Sequence, residues 1–187
     1  LLRLINRLAE PSSGRILIHG EDTAGVPPAQ LRRHIGYVIQ QGGLFPHMTV
    51  AENIAISSRV ETGRRLMNWK ETEKEAVRTM KKIGVSLDTR REVSHLSIAE
   101  RQIVAICRAI NANARLVIMD EPTASLSKNE VQSLIKVINE LQNREIATLF
   151  VSHKLDEIMA VAQRVTVLRD GKKVGVFDAS ELTRQKL

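Results

Sequence analysis

The sequence predicts an α/β domain built on a mostly parallel sheet, with an α-helical lobe inserted between the core strands. Three observations carry that reading. Leu116-Val117-Ile118-Met119 is an apolar run too short for a helical stripe, and it ends in Asp120-Glu121-Pro122. Such a run reads as a strand buried on both faces, and Pro122 halts further ladder pairing. From 111 onward strands alternate with helices, a pattern that calls for right-handed crossovers and a parallel sheet. Between about 41 and 110 helical periodicity takes over, so one domain over 1–187 divides into an α/β core (1–40 and 111–187) and a helical insertion (41–110).

Leu1, Leu4, Ile5 and Leu8 recur at helical spacing, so the chain opens inside an amphipathic helix over 1–8 that Pro11-Ser12-Ser13-Gly14 ends. Residues 15–19 read as a strand closed by Gly20, 29–33 as one helical turn, and 35–40 as a second buried strand. Residues 41–46 are loop, and Thr49 caps a helix over 50–56 with Glu52 in its first turn. The stretch 57–68 carries no clear pattern. Trp69, Ala76, Val77, Met80 and Ile83 mark an amphipathic helix that stops at Gly84. Ser97 starts the next helix. Residues 128–143 place Val131, Leu134, Ile135, Ile138 and Leu141 on one face, and 147–151 is a buried strand ending in Ser152-His153. A short helix over 155–162 then leads to strands at 165–168 and 174–177, joined by a hairpin turn at Asp170-Gly171. That hairpin is expected to give the main sheet an antiparallel edge.

At 187 residues the chain can bury one sizeable core. No apolar run approaches the ~18–20 residues of a membrane span, and no signal peptide is visible. The formal charge of +7 raises the question of nucleic acid. The basic residues are nevertheless scattered in short pairs such as Arg32-Arg33 and Lys172-Lys173, and one Trp, one Tyr and three Phe cannot build a base-stacking platform. Nucleic acid is not an expected partner. A solvated surface, or docking onto an acidic or membrane-embedded partner, fits better. Cys107, the single cysteine, excludes an internal disulfide and fits a reducing compartment. Lying among Ile103, Ile106 and Ile110 at helical spacing, it reads as a core residue rather than a nucleophile.

Carboxylates at the end of a parallel strand occupy the edge where open α/β sheets bind ligands. In phosphoryl transfer such a pair divides two tasks, holding magnesium and polarising the attacking water. The plain alternative is a strand end capped by two solvated acids. Gln40 ends another buried strand. Ser97 begins a helix and offers backbone N–H groups and a positive dipole end to an anion. His153 ends the next strand, 32 residues beyond Glu121. Each also has an ordinary explanation: Ser97-x-x-Glu100 and Ser127-x-x-Glu130 are capping boxes, Gln40 a strand-end amide, His153 a surface histidine.

Taken in order, with Ala124-Ser125-Leu126-Ser127 between the last two, these elements resemble the nucleotide-binding subunit of ABC transporters over nearly the whole chain. The resemblance implies a P-loop NTPase core with an inserted helical subdomain, ATP and Mg2+ as cofactors, and ATP hydrolysis coupled to solute import. Asp120 then matches the Walker B aspartate that holds magnesium, and Glu121 the carboxylate that polarises water against the γ-phosphate. His153 matches the switch histidine at that phosphate, and Gln40 the Q-loop glutamine, a ligand of magnesium and water. Ser97, Ala99 and Glu100 stand in the signature motif, which binds the nucleotide of the opposite subunit. Ser127 takes the place of an aspartate in the loop that follows. The implied partners are a second ATPase subunit and a membrane permease met through the Q-loop and helical insertion, on the cytoplasmic face of the plasma membrane. Two rival readings are a non-catalytic module that only docks on a partner, and a soluble ABC protein acting on nucleic acid.

The sequence departs from the family pattern in two places. The signature reads Leu-Ser-Ile-Ala-Glu where Leu-Ser-Gly-Gly-Gln is usual, so side chains at Ile98 and Ala99 narrow the backbone's approach to phosphate. No G-x-x-x-x-G-K-[ST] occurs, and the first helix matches the one that follows this phosphate loop. The resemblance therefore implies a partial domain starting just past the loop, with little phosphate affinity as it stands. Residues 3–54 look like glycine betaine or osmoprotectant importers, and 96–171 like ribose- and galactose-type importers, as a natural mosaic or a chimera would.

Overall fold

The computed structural model describes residues 1–18, 20–38, 43–62 and 68–181, for 58–62 and 181 the backbone alone. The chain runs α1 (Leu2–Ile5), β1 (Leu17–Ile18), β2 (Glu21–Asp22), α2 (Pro28–Arg33), β3 (Ile35–Val38), α3 (Val50–Thr62) and α4 (Trp69–Lys82). It continues through α5 (Ile98–Asn111), β4 (Leu116–Asp120), α6 (Lys128–Asn143), β5 (Ala147–Val151), α7 (Leu155–Val161), β6 (Arg164–Arg169) and β7 (Lys172–Asp178). Short 3-10 turns lie at Thr23–Gly25, Val93–His95 and Ala179–Glu181.

The predicted parallel sheet is present: β3, β4 and β5 lie side by side in that order, both pairs parallel. The register sets Ile118 of the central strand between Tyr37 and Leu149. Val117, Ile118 and Met119 are all fully buried, and they divide by the two-residue period of a strand. Val117 and Met119 join the main core with Val104, Ile106, Leu134 and Ile138. Ile118 meets Leu31 and Ile35 instead, with Leu2 and Ile5 packed against them. A strand covered on both faces must be apolar at every position, which is why 116–119 lacks alternation.

Helices α3, α4 and α5 pack together, α3 lying on α4 and α5, and α5 in turn lies on β3. Ala76 and Met80 of α4 meet Val50 and Ile54 of α3 and Val104 of α5 in one cluster. Helix α3 starts where the sequence places it. Thr49 N–H and Oγ1 donate to Glu52 Oε2 at 2.8 and 2.7 Å, and Thr49 Oγ1 accepts Glu52 N–H at 3.3 Å. The close approach of α5 to β3 depends on Gly36, where a Cβ would sit 2.4 Å from Ala109 Cβ. No helix among the described residues is long and apolar enough to cross a membrane.

Several expectations are corrected. The first helix covers Leu2–Ile5 rather than 1–8. Arg7 turns left-handed (φ 51), and its guanidinium donates to the carbonyls of Thr23, Ala24 and Val26 at 3.1, 3.3 and 2.8 Å. Among the described residues, the stretch read as one strand over 15–19 supplies β1, with His19 outside them, and β1 pairs antiparallel with β2 beyond Gly20 (φ 83). The helix of 50–56 runs on to Thr62, through part of the stretch that showed no pattern. β6 and β7 do form a hairpin about Asp170 and Gly171, left-handed at φ 48 and 74. Among the described residues, however, they make a two-stranded sheet of their own rather than an edge of the parallel one. Val165 and Val167 of β6 and Phe177 of β7 are half-buried, while the residues between them stand in solvent.

Cys107 is a core residue, as the sequence reads: it is fully buried, and burial pushes its thiol up to about 12. At pH 8 a thiol reagent should therefore leave the native protein unlabelled and react along the urea unfolding curve. Rapid stoichiometric labelling without denaturant would contradict this packing. Gly36→Ala should lower stability by about 1–3 kcal/mol in urea melts, because the added methyl must push α5 off β3. An unchanged midpoint would mean that the two elements stand further apart than this.

Candidate functional site

Two adjacent parallel strands end side by side, and their next residues meet. Asp120 is the last residue of β4, half-buried and in register with Val151 at the end of β5. Burial, and then the Asp120 charge, push the Tyr37 phenol on β3 up, so the carboxylate's field reaches across the sheet edge. Glu121 donates its N–H to the Val151 carbonyl at 2.9 Å and turns left-handed, at φ 45. For a residue with a Cβ that region costs about 1 kcal/mol or more, and such strain gathers at working sites.

The turn sends the Glu121 side chain towards the end of β5. His153 Nδ1 lies 3.1 Å from Glu121 Oε1. A carboxylate oxygen accepts, so the ring donates through Nδ1, and Nε2 is left for another partner. Both side chains are open to solvent, at 68% exposure for His153 and 43% for Glu121, so the pair can reach a ligand.

Ser97 and Ser127 occupy the helix starts that the sequence assigns them, and both capping boxes are complete. Ser97 N–H donates to Glu100 Oε2 at 2.7 Å, and Ser97 Oγ accepts Glu100 N–H at 3.2 Å. Glu100 also pairs with Arg91 Nη1 at 3.2 Å, so its carboxylate is engaged on two sides. Ala99 sits in the first turn of α5, half-buried, between exposed Ile98 and half-buried Glu100. Ser127 N–H and Oγ donate to Glu130 Oε2 at 2.9 and 2.7 Å, which holds the Glu130 carboxyl below its ordinary value. Apart from the Arg91 ion pair, these bonds stay within each helix start. The structure thus brings Asp120, Glu121 and His153 together at one edge, while Ser97, Ala99, Glu100 and Ser127 serve their own helices. Gln40 lies outside the described residues.

A magnesium ion commonly takes one or two carboxylates plus phosphate oxygens and water, not a cage of protein ligands. Among the described residues no group of three or more His, Cys, Asp or Glu could hold a metal, while Asp120 offers a carboxylate at the strand end. That donor set fits a phosphate-borne magnesium.

The sequence reading missed several buried polar residues around this edge. Gln102 on α5, Thr123 after the turn, and Glu157 on α7 are 4%, 2% and 8% exposed. Their signal was available: Gln102 shares a helical face with buried Ile106 and Ala109, and Glu157 with buried Val161. Asn53, fully buried on α3, was missed as well. Its side chain accepts from Phe45 N–H at 2.8 Å and donates to the carbonyls of Phe45, Met48 and Thr49 at 3.0, 3.3 and 3.1 Å, fixing that loop.

A family model described as ABC transporter matches residues 1–124. The ribose import ATP-binding protein RbsA 3 of Rubrobacter xylanophilus is 41% identical over all of this chain and 38% of its own length. The galactofuranose transporter ATP-binding protein YtfR of Escherichia coli K12 is 38% identical over all of this chain and 37% of its own. The chain therefore spans well under half the length of the curated relatives it matches. Among solved structures, the dimeric post-hydrolysis ATP-binding cassette MJ0796 bound to ADP and Pi aligns with a TM-score of 0.78 at 24% identity. That alignment covers 95% of this chain and 78% of the cassette and speaks to the fold. With the family match running through the central strand and its carboxylates, the chain belongs to the ABC transporter family and has the fold of its ATPase cassettes.

Proposed function

We propose that this chain is part of an ATP-hydrolysing subunit that powers import of a sugar through a membrane permease. The observation that carries the reading is the contact between Glu121 and His153 at neighbouring strand ends, beside Asp120. Glu121 is placed to take the proton of an attacking water and to aim its oxygen at a terminal phosphate. His153 holds the Glu121 carboxylate through Nδ1–H and turns its second nitrogen to the phosphate. Asp120 is the ligand for magnesium, which, when bound, neutralises charge on the phosphate oxygens. Gln40, outside the described residues, would add a further ligand to that ion or its water. The first N–H groups of a helix have no intrahelical partners, so those of Ile98 and Ala99 on α5 are open to a phosphate held by a second copy. Ser97, Glu100 and Ser127 act by fixing the helix starts that meet that nucleotide.

Sugar import is favoured over osmoprotectant import. The ribose and galactofuranose relatives match the chain from end to end, including the 3–54 stretch that looks like glycine betaine importers. For the permease, a cleft of about 520 Å³ lies between α2–β3 and α3–α5, with Arg32, Arg33, Tyr37, Phe45 and Arg108 in its walls. Arg108 Nη1 donates to the Gly43 carbonyl there, tying the loop beyond Gln40 to α5. A permease segment seated in this cleft would touch both the sheet and the helical lobe.

The carboxylates should fail differently in the full-length protein. Glu121→Gln should cut ATP turnover by about 10²-fold or more while ATP still binds, because only the proton acceptor is lost. Asp120→Asn should also abolish the magnesium dependence of binding. Steady-state turnover and calorimetric ATP titration with and without magnesium check both. Parental turnover in Glu121→Gln would remove Glu121 from the chemistry.

A further inference from the structure

Glu121 is held left-handed at φ 45 with its carboxylate 3.1 Å from His153, and an exposed pair on two loops does not keep such a geometry unaided. The residues around it are gripped from beneath. Thr123 Oγ1 donates to Glu157 Oε2. Lys154 Nζ pairs with Glu157 Oε1 at 3.2 Å and donates to the Thr123 carbonyl at 3.2 Å. Ser152 Oγ donates to Glu157 Oε2 at 3.4 Å and accepts Lys154 N–H at 3.0 Å. The ring therefore joins Thr123, two residues past Glu121, to Ser152 and Lys154, which flank His153. From the other side, Gln102 Nε2 on α5 donates to the Pro122 carbonyl.

We propose that the ring of Thr123, Ser152, Lys154 and Glu157 positions Glu121 and His153 against each other, so that these four are positioning residues for the hydrolysis proposed above, on which this inference rests. The chemistry supports the assignment. A buried carboxylate is costly unless it is both paired and hydrogen-bonded, and apolar packing would stabilise the same junction as well or better. Glu157 at 8% exposure meets both conditions, with one oxygen on Lys154 and the other on Thr123 and Ser152. What the ring supplies beyond stability is a fixed register between two strand ends. None of the four needs to touch the nucleotide.

The test compares Thr123→Val, which removes the hydroxyl, with Thr123→Ser, which keeps it, in the full-length protein. Thr123→Val should lower kcat by about 10- to 100-fold, as expected for a reacting group misplaced by a fraction of an ångström, while ATP affinity stays within about twofold. Thr123→Ser should restore turnover. In parallel, exchange of the Glu121 amide, which donates to Val151, should quicken in Thr123→Val and not in Thr123→Ser. Parental turnover in Thr123→Val would overturn the proposal. So would kcat, affinity and melting temperature falling together without rescue by serine. If Thr123→Val does not fold, Glu157→Gln, which keeps an acceptor for Thr123 and loses the Lys154 ion pair, is judged by the same split. A parent that hydrolyses no ATP would instead refute the ATPase reading, and the exchange measurement would still decide whether the ring holds Glu121.

Discussion

β4 offers no face to water, and the layout of the molecule follows from that demand. Covering Val117 and Met119 requires α5 and α6 on one side, and covering Ile118 requires α1 and α2 on the other. Helix α5 can come close enough only because β3 carries Gly36 opposite Ala109. The same demand dictates where charge begins. A carboxylate is tolerated only at the rim, so the first acid of the strand, Asp120, marks the point where the sheet meets solvent. The candidate site sits at the edge because the interior excludes single charges.

At that rim the structure sets local strain against buried polar bonding. The left-handed turn at Glu121 opposes its own geometry, and the ring beneath it binds a carboxylate that would be unfavourable if left single. Two unfavourable features thus support each other. The arrangement is stiff because Thr123, Lys154 and Glu157 are each bonded more than once or buried, and removing any one exposes the need of the others.

Much of this was legible in the sequence, and for identifiable reasons. The continuous run at 116–119 announced a central strand, and β5 and α6 have the predicted bounds because their patterns are strong and the start of α6 is capped. Capping boxes at Ser97 and Ser127 could be read because they are local, three residues across. The juxtaposition of Glu121 with His153 needed the strand order as well, and the roles proposed for them come from the family resemblance. What stayed hidden was non-local. Arg7 leaves its helix for carbonyls sixteen or more residues away, and Thr123 finds Glu157 across 34 positions. Neither partnership has a periodic trace. The hairpin of β6 and β7 was predicted as a hairpin, yet its separation from the parallel sheet is a matter of tertiary placement with no local signal.

That detachment sets the β6–β7 hairpin apart energetically. A two-stranded ribbon is marginal alone, and Leu168, Val174 and Val176 stand exposed on this one at 54%, 61% and 48%. Its opening removes few contacts from the parallel sheet, so it should open below the free energy at which the central strand lets go. Mutational drift in that ribbon is accordingly weakly felt by the rim that carries Glu121 and His153. The ribbon is where the chain can vary in sequence, take insertions or be cut by a protease while the strands that carry Glu121 and His153 stay assembled.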